Sequence, residues 1–106
     1  MKGVEIRIRQ QKGMVTLELE GELDFSNVEQ LQQEIQRHPE EVVEIDLQGL
    51  LFIDSSGAGM LLSQARYLYR QGRTLRIVNI PDFIREDLEM IGFFKVLEIL
   101  ESNPNA

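Results

Sequence analysis

The sequence predicts an α/β fold: one small domain over residues 1–106, with a mixed β-sheet covered by about three helices. Two observations carry this. Val4, Ile6 and Ile8 alternate with Glu5, Arg7 and Arg9, and Val15, Leu17 and Leu19 alternate with Thr16, Glu18 and Glu20, which is the period-two signature of strands with one buried face. After that pair, helical and extended patterns take turns to the end of the chain, as expected of parallel strands joined by helices.

Each element follows from local chemistry. Gln11-Lys12-Gly13 joins the two alternating segments as a hairpin. Ser26 followed by Glu29 has capping-box spacing, Val28, Leu31 and Ile35 fall on one helical face, and His38-Pro39 stops that helix. Val43, Ile45 and Leu47 form a third strand, and Leu50-Leu51-Phe52-Ile53 stays apolar up to an Asp-Ser-Ser-Gly junction at Asp54. A second helix is expected from about Ser56 to Gln71, ended by Gly72. A single helix from Leu50 to Leu62 is the rival reading, but Asp54-Ser55-Ser56-Gly57 is poor helix interior and good cap chemistry. Leu75, Ile77 and Val78 form the next strand. Pro81-Asp82 opens a third helix with Ile84, Leu88 and Ile91 inward, and Gly92 closes it. Val96 to Leu100 reads as a last short strand, and Glu101 to Ala106 as a frayed tail.

Composition narrows the function. With 11 basic against 18 acidic residues and a net charge of -7, the chain is a poor partner for nucleic-acid phosphates or an anionic membrane surface; a protein partner is expected. There is no cysteine, hence no disulfide, thiol nucleophile or zinc-thiolate cluster. No signal-peptide pattern and no apolar run near the ~20 residues of a membrane span is present. A cytoplasmic protein without cofactors, a monomer or weak dimer, is expected.

The most informative stretch is Ile53 to Leu62. Its first helical turn leaves backbone amides unpaired and partly positive, so a phosphate on Ser55 would sit favourably and alter the surface without melting the helix. An Asp-Ser pair is also a common unregulated cap. At 100° per residue, Ala58, Leu61, Leu62, Ala65, Leu68 and Tyr69 share one side of the helix, and Ser56, Met60, Ser63 and Tyr67 the other. Met60 and Tyr67 are thus expected to be an exposed docking stripe beside the serines, unless neighbouring loops cover them.

Asp54-Ser55-Ser56-Gly57-Ala58-Gly59-x-Leu61 after Ile45-Asp46-Leu47, Gly21-Glu22-Leu23-Asp24 after the second strand, and Gly92-Phe93-Phe94-Lys95 after the third helix together resemble the STAS domain, specifically the bacterial anti-sigma factor antagonists. The resemblance implies a partner switch. A serine-kinase anti-sigma factor phosphorylates the antagonist, a metal-dependent serine/threonine phosphatase removes the phosphate, and only the unphosphorylated antagonist captures the anti-sigma factor. Ser55 is then the acceptor, flanked by Asp54 and Ser56, while Gly57 and Gly59 allow close approach of a partner backbone. The resemblance also puts Asp24 near the phosphorylation loop, where it binds the kinase, tunes the serine, or forms only an Asx-type turn or a cap with Phe25 and Ser26. Two departures stand out: Ala58 where a leucine is common, and a C-terminus without the further amphipathic helix of many members.

Other chemistry is weakly supported. Asp24, Asp46 and Asp54 lack the spacing of a metal site, and Asp46 reads as the polar alternate of a strand. His38 is expected to be a solvated loop histidine, with nothing to make it a base for Ser55. The G-x-S-x-G elbow and the phosphate-loop lysine are both missing, so no catalytic residue is assigned and a small hydrolase using Ser55 is disfavoured. An unphosphorylated STAS interaction subunit of a transport or stress-sensing complex is the main alternative.

Overall fold

The computed structural model describes residues 3–103 and Asn105. The chain runs β1 (Val4–Gln11), β2 (Met14–Leu23), α1 (Val28–Arg37), β3 (Val42–Ile53), α2 (Ser55–Arg70), β4 (Thr74–Val78), α3 (Asp82–Met90) and α4 (Phe93–Ser102). The sheet order is β1-β2-β3-β4. β1 pairs antiparallel with β2 through the expected hairpin, and β2–β3 and β3–β4 are parallel. The sheet is therefore mixed.

One face of the sheet carries the core. Val15, Leu17, Leu19, Val43, Ile45 and Leu47 are buried against Leu31 and Ile35 of α1, Ala58, Leu61, Ala65 and Leu68 of α2, Ile84 and Leu88 of α3, and Phe93 and Leu100 of α4. The alternate strand positions turn the other way and form a polar lattice in which Arg9 donates to Glu18 at 2.9 Å, Thr16 to Glu44 at 3.1 Å and Arg76 to Glu44 at 3.0 Å. Cross-strand pairs of opposite charge suit a sheet face left without a helical layer.

Four corrections to the sequence reading concern this frame. Val96 to Leu100 is no strand: Phe93, Leu97 and Leu100 recur at helical spacing and α4 forms, starting from Gly92 at φ 76°. The C-terminal amphipathic helix expected to be absent is therefore present, and among the described residues the sheet has no fifth strand and four helices stand where about three were expected. Glu101 and Ser102 remain helical; Pro104 and Ala106, part of the expected frayed tail, lie outside the described residues.

Second, the Ser26 capping box does not form. Asn27 is the N-cap of α1 and makes no side-chain cap bond, because Ser26 is engaged by Asp24 instead. Third, Ile91 is 55% exposed, since α3 ends at Met90 and the chain turns away from the core one residue too early.

Fourth, His38 is buried. Its Nε2 lies 3.1 Å from Glu34 and its Nδ1 3.5 Å from Glu40, while Arg73 donates to the carbonyls of His38 and Glu40 and pins the turn after α1. Burial pushes the Glu40 carboxyl up, but the Gln10 amide, its own backbone and the charges of His38 and Arg73 outweigh that and hold it below its ordinary value. This cluster closes the pole of the domain where β3 and β4 begin. The Asp-Ser-Ser-Gly junction lies where β3 ends.

Candidate functional site

Asp54 builds the junction. It is the N-cap of α2, with extended backbone, and its Oδ1 accepts from the Gly57 amide at 2.8 Å. Its Oδ2 accepts from the Phe25 amide at 3.1 Å, and its own amide donates to the Leu23 carbonyl at 3.2 Å. One carboxylate thus caps the helix and fixes the β2–α1 loop against it. That loop is ordered from within: Asp24 Oδ1 accepts from the amide and hydroxyl of Ser26 at 2.9 and 2.6 Å, and Asn27 Oδ1 accepts from the Asp24 amide at 3.0 Å. Asp24 is an Asx turn, one of the alternatives its sequence context allowed, and the turn stands beside the start of α2.

Ser55 opens α2 and is exposed, whereas Ser56 is half-buried. Among the described residues, neither hydroxyl has a hydrogen-bond partner. A shallow pocket of about 190 Å³ adjoins Ser55 and is lined by Ile53, Asp54, Ala58, Asp87, Leu88, Met90 and Ile91. Met90 is 85% and Ile91 55% exposed, and on the other side of Asp54 the ring of Phe25 is 81% exposed. A free hydroxyl therefore sits in an acidic setting edged by large apolar side chains.

The expected docking stripe has the wrong phase. Tyr67 is 41% exposed, but Met60 is 8% exposed and belongs to the core. Gln64, one turn on, is also buried and accepts from Gln36 of α1 at 3.3 Å; α1 covers this flank of α2 and widens its buried arc. The outward line is instead Ser55, Gly59, Ser63 and Arg66.

The two glycines part company as well. A Cβ at Gly57 would lie 2.9 Å from Ile53 Cγ1 and 3.0 Å from the Leu23 carbonyl oxygen, so this glycine serves the packing of its own chain rather than a partner. A Cβ at Gly59 would meet nothing within 4 Å, which leaves surface free beside Ser55.

Asp46 lies apart from this constellation. Its carboxylate accepts from the Gln48 amide at 2.9 Å and from Asn79 at 2.8 Å, tying β3 to the end of β4. Among the described residues, no group of acidic or histidine side chains is arranged to hold a metal ion, and no helix is long and apolar enough to cross a membrane.

The sequence gives Phe25, Asp87 and Met90 no site role and places Ile91 in the core. A signal existed for two of them. An aromatic inside the polar Asp24-Phe25-Ser26 turn has no core to enter, and Met90 falls off the Ile84–Leu88 stripe of α3.

The sequence profile of the STAS domain matches residues 5–106. The chain belongs to the STAS domain family. A curated relative, the anti-sigma F factor antagonist of Paenibacillus polymyxa, is 28% identical over 97% of this chain and 92% of its own length. Among solved structures, the anti-sigma factor antagonist SpoIIAA in its unphosphorylated form superposes with a TM-score of 0.72 at 24% identity, covering 84% of this chain and 82% of that one. A sulfate transporter family protein from Wolinella succinogenes superposes with a TM-score of 0.73 at 19% identity, covering 88% and 78%. The fold is thus shared by an anti-sigma factor antagonist and a sulfate transporter family protein, and the site residues have to discriminate between such roles.

Proposed function

We infer that this STAS domain is an anti-sigma factor antagonist acting as a phosphorylation switch in the cytoplasm. With Ser55 bare, it captures a serine-kinase anti-sigma factor and frees the sigma factor. Phosphorylation of Ser55 by that kinase ends the capture, and a metal-dependent serine/threonine phosphatase restores it. The observation that carries this reading is the exposed, unpartnered Ser55 hydroxyl at the first position of a helix capped by Asp54, with Met90, Ile91 and Phe25 exposed around it. The Paenibacillus relative, similar over nearly its whole length, points the same way.

The switch needs no refolding. A phosphate at Ser55 gains from the helix N-terminus while adding a charge of roughly -1.5 to -2 beside Asp54 and Asp87. It changes an apolar-edged surface into a strongly anionic one. A partner that desolvates Met90 and Ile91 is then repelled, because burying an uncompensated charge costs several kcal/mol. Asp24, Asp54 and Ser56 stand at the start of α2 with Ser55, Gly59 and Ser63 continue its outward line, and the exposed Tyr67 lies further along the same helix; together they complete the proposed contact surface.

The test is phosphorylation by a cognate serine-kinase anti-sigma factor, with ATP, followed by peptide mass spectrometry and calorimetric titration of both forms. One phosphate at Ser55 and loss of kinase binding on phosphorylation are expected. Phosphate on Ser56 alone would move the acceptor. Tight binding of a partner while neither serine accepts phosphate from an active kinase would favour an unphosphorylated interaction subunit of a transport or stress-sensing assembly.

A further inference from the structure

β4 is an edge strand with a groove beside it. In a parallel ladder consecutive residues alternate between bonding the neighbouring strand and pointing away from it. The Thr74 amide bonds the Glu41 carbonyl, so Thr74, Arg76 and Val78 face β3, and Leu75 and Ile77 direct their amides and carbonyls outward. The Tyr69 hydroxyl takes the Leu75 carbonyl at 2.9 Å. Among the described residues, the Leu75 amide and both backbone groups of Ile77 remain without a partner, and they border a groove of about 290 Å³ walled by Ile77, Ile80, Phe94 and Leu97, with Arg85 stacked 5.2 Å over the Phe94 ring.

We propose that this groove receives an extended segment of a partner protein, with apolar and acidic residues in alternation, added to the sheet as a strand next to β4. The strand period of two fixes the alternation. Residues turned to the helical side enter the apolar groove, and residues turned to the other face lie beside Arg76, whose side chain is 53% exposed on the polar face of the sheet. Arg76 gives Nε and Nη2 to Glu44, yet a guanidinium carries five N–H donors and serves a second carboxylate. A second copy of this chain is a poor occupant: antiparallel pairing across β4 brings two Arg76 guanidinia onto one face of the joined sheet, and like charges oppose such pairing. The groove shares no lining residue with the pocket beside Ser55, so it is a separate site.

The probe is a synthetic peptide, acetyl-Val-Glu-Val-Asp-Val-amide, as long as the 5-residue β4, titrated into the isotopically labelled chain and followed by NMR. The Leu75 and Ile77 amides are expected to shift progressively while those of Ser55 and Gly59 stay still. Arg76→Glu should weaken binding by about tenfold or more. Ile77→Pro, which deletes an outward amide and spares the ladder, should abolish it; if that variant does not fold, Arg76→Glu alone decides. No shift at Leu75 and Ile77 up to the solubility limit, equal binding of the lysine peptide acetyl-Val-Lys-Val-Lys-Val-amide, or dimerisation of the chain through β4 in sedimentation would each overturn the proposal.

Discussion

The amide of Phe25 donates to Oδ2 of Asp54 at 3.1 Å, a bond that spans from the loop after β2 to the residue capping the helix of Ser55. Two parts of the surface separated by β3 are thereby set in one fixed relation. Because the other carboxylate oxygen caps Gly57, a single side chain governs both the helix start and the placing of the exposed Phe25 ring.

Asp54→Ala should lower stability by about 1–3 kcal/mol, the loss of a cap together with an unpaired Phe25 amide. Asp54→Asn keeps one carbonyl oxygen and should fall between the parent and Asp54→Ala. Denaturant melts measure both. Equal stability of all three would mean that solvent replaces the carboxylate at no cost.

Ser55→Asp adds charge where a helix accepts it and leaves the core untouched. Its stability should stay within roughly 1 kcal/mol of the parent, with partner binding lost. An Asp variant unfolded by circular dichroism would contradict a switch confined to the surface.

Gly57→Ala and Gly59→Ala should separate cleanly. The first pushes a methyl into Ile53 and Leu23 and should cost about 1–3 kcal/mol. The second sits in open space on an exposed helix face and should be neutral or stabilise by up to about 1 kcal/mol. Thermal melts of the two variants side by side give the answer.

The frame was legible in the sequence where one cause sufficed. The alternation in β1 and β2 predicted the hairpin, and the cap chemistry of Asp54 placed the start of α2 within one residue. What the sequence hid was set by neighbours. Met60 lies on the polar side of the helical wheel, but α1 packs there as well, and two helices cover more of α2 than a single-stripe reading allows. His38 is a lone histidine before a proline until Arg73, distant in sequence, closes the turn over it. Val96 to Leu100 is a short apolar run that periodicity alone does not assign to helix or strand, and the decisive Phe93 lies just outside it. Glycine motifs likewise do not say whether room is kept for a partner, as at Gly59, or for the chain itself, as at Gly57.

The apolar residues around Ser55 and those of the α2 interior should respond oppositely to truncation. Met90→Ala and Ile91→Ala remove exposed side chains and should leave stability nearly unchanged while weakening anti-sigma factor binding by about 1–3 kcal/mol, or roughly tenfold to a hundredfold. Met60→Ala and Leu61→Ala should cost about 2–5 kcal/mol of stability through cavities. Calorimetric titration and denaturant melts on the four variants are the check. Normal binding by Met90→Ala and Ile91→Ala would move the contact surface elsewhere around the serine.

Tyr69 gives the fold a dependence on alkaline pH. Its ring is 8% exposed, its hydroxyl donates to the Leu75 carbonyl at 2.9 Å and faces Glu101 at 3.4 Å, and burial first, then the Glu101 charge and hydrogen bond, push its pKa up to about 12. An unfolded tyrosine ionises near 10. Above that pH the unfolded chain releases a proton that the folded chain keeps, so the stabilisation from this group is complete below about pH 10 and drains away as pH rises toward 12. Tyr69→Phe should be less stable at neutral pH by about 1–3 kcal/mol, because the Leu75 carbonyl loses its donor. It should also lose less stability than the parent between pH 10 and 12, a comparison that cancels the titration of lysines common to both. Melts across that range decide it: if the two stability curves run parallel, the hydroxyl does not retain its proton in the fold and the bond to Leu75 contributes nothing to the alkaline limit.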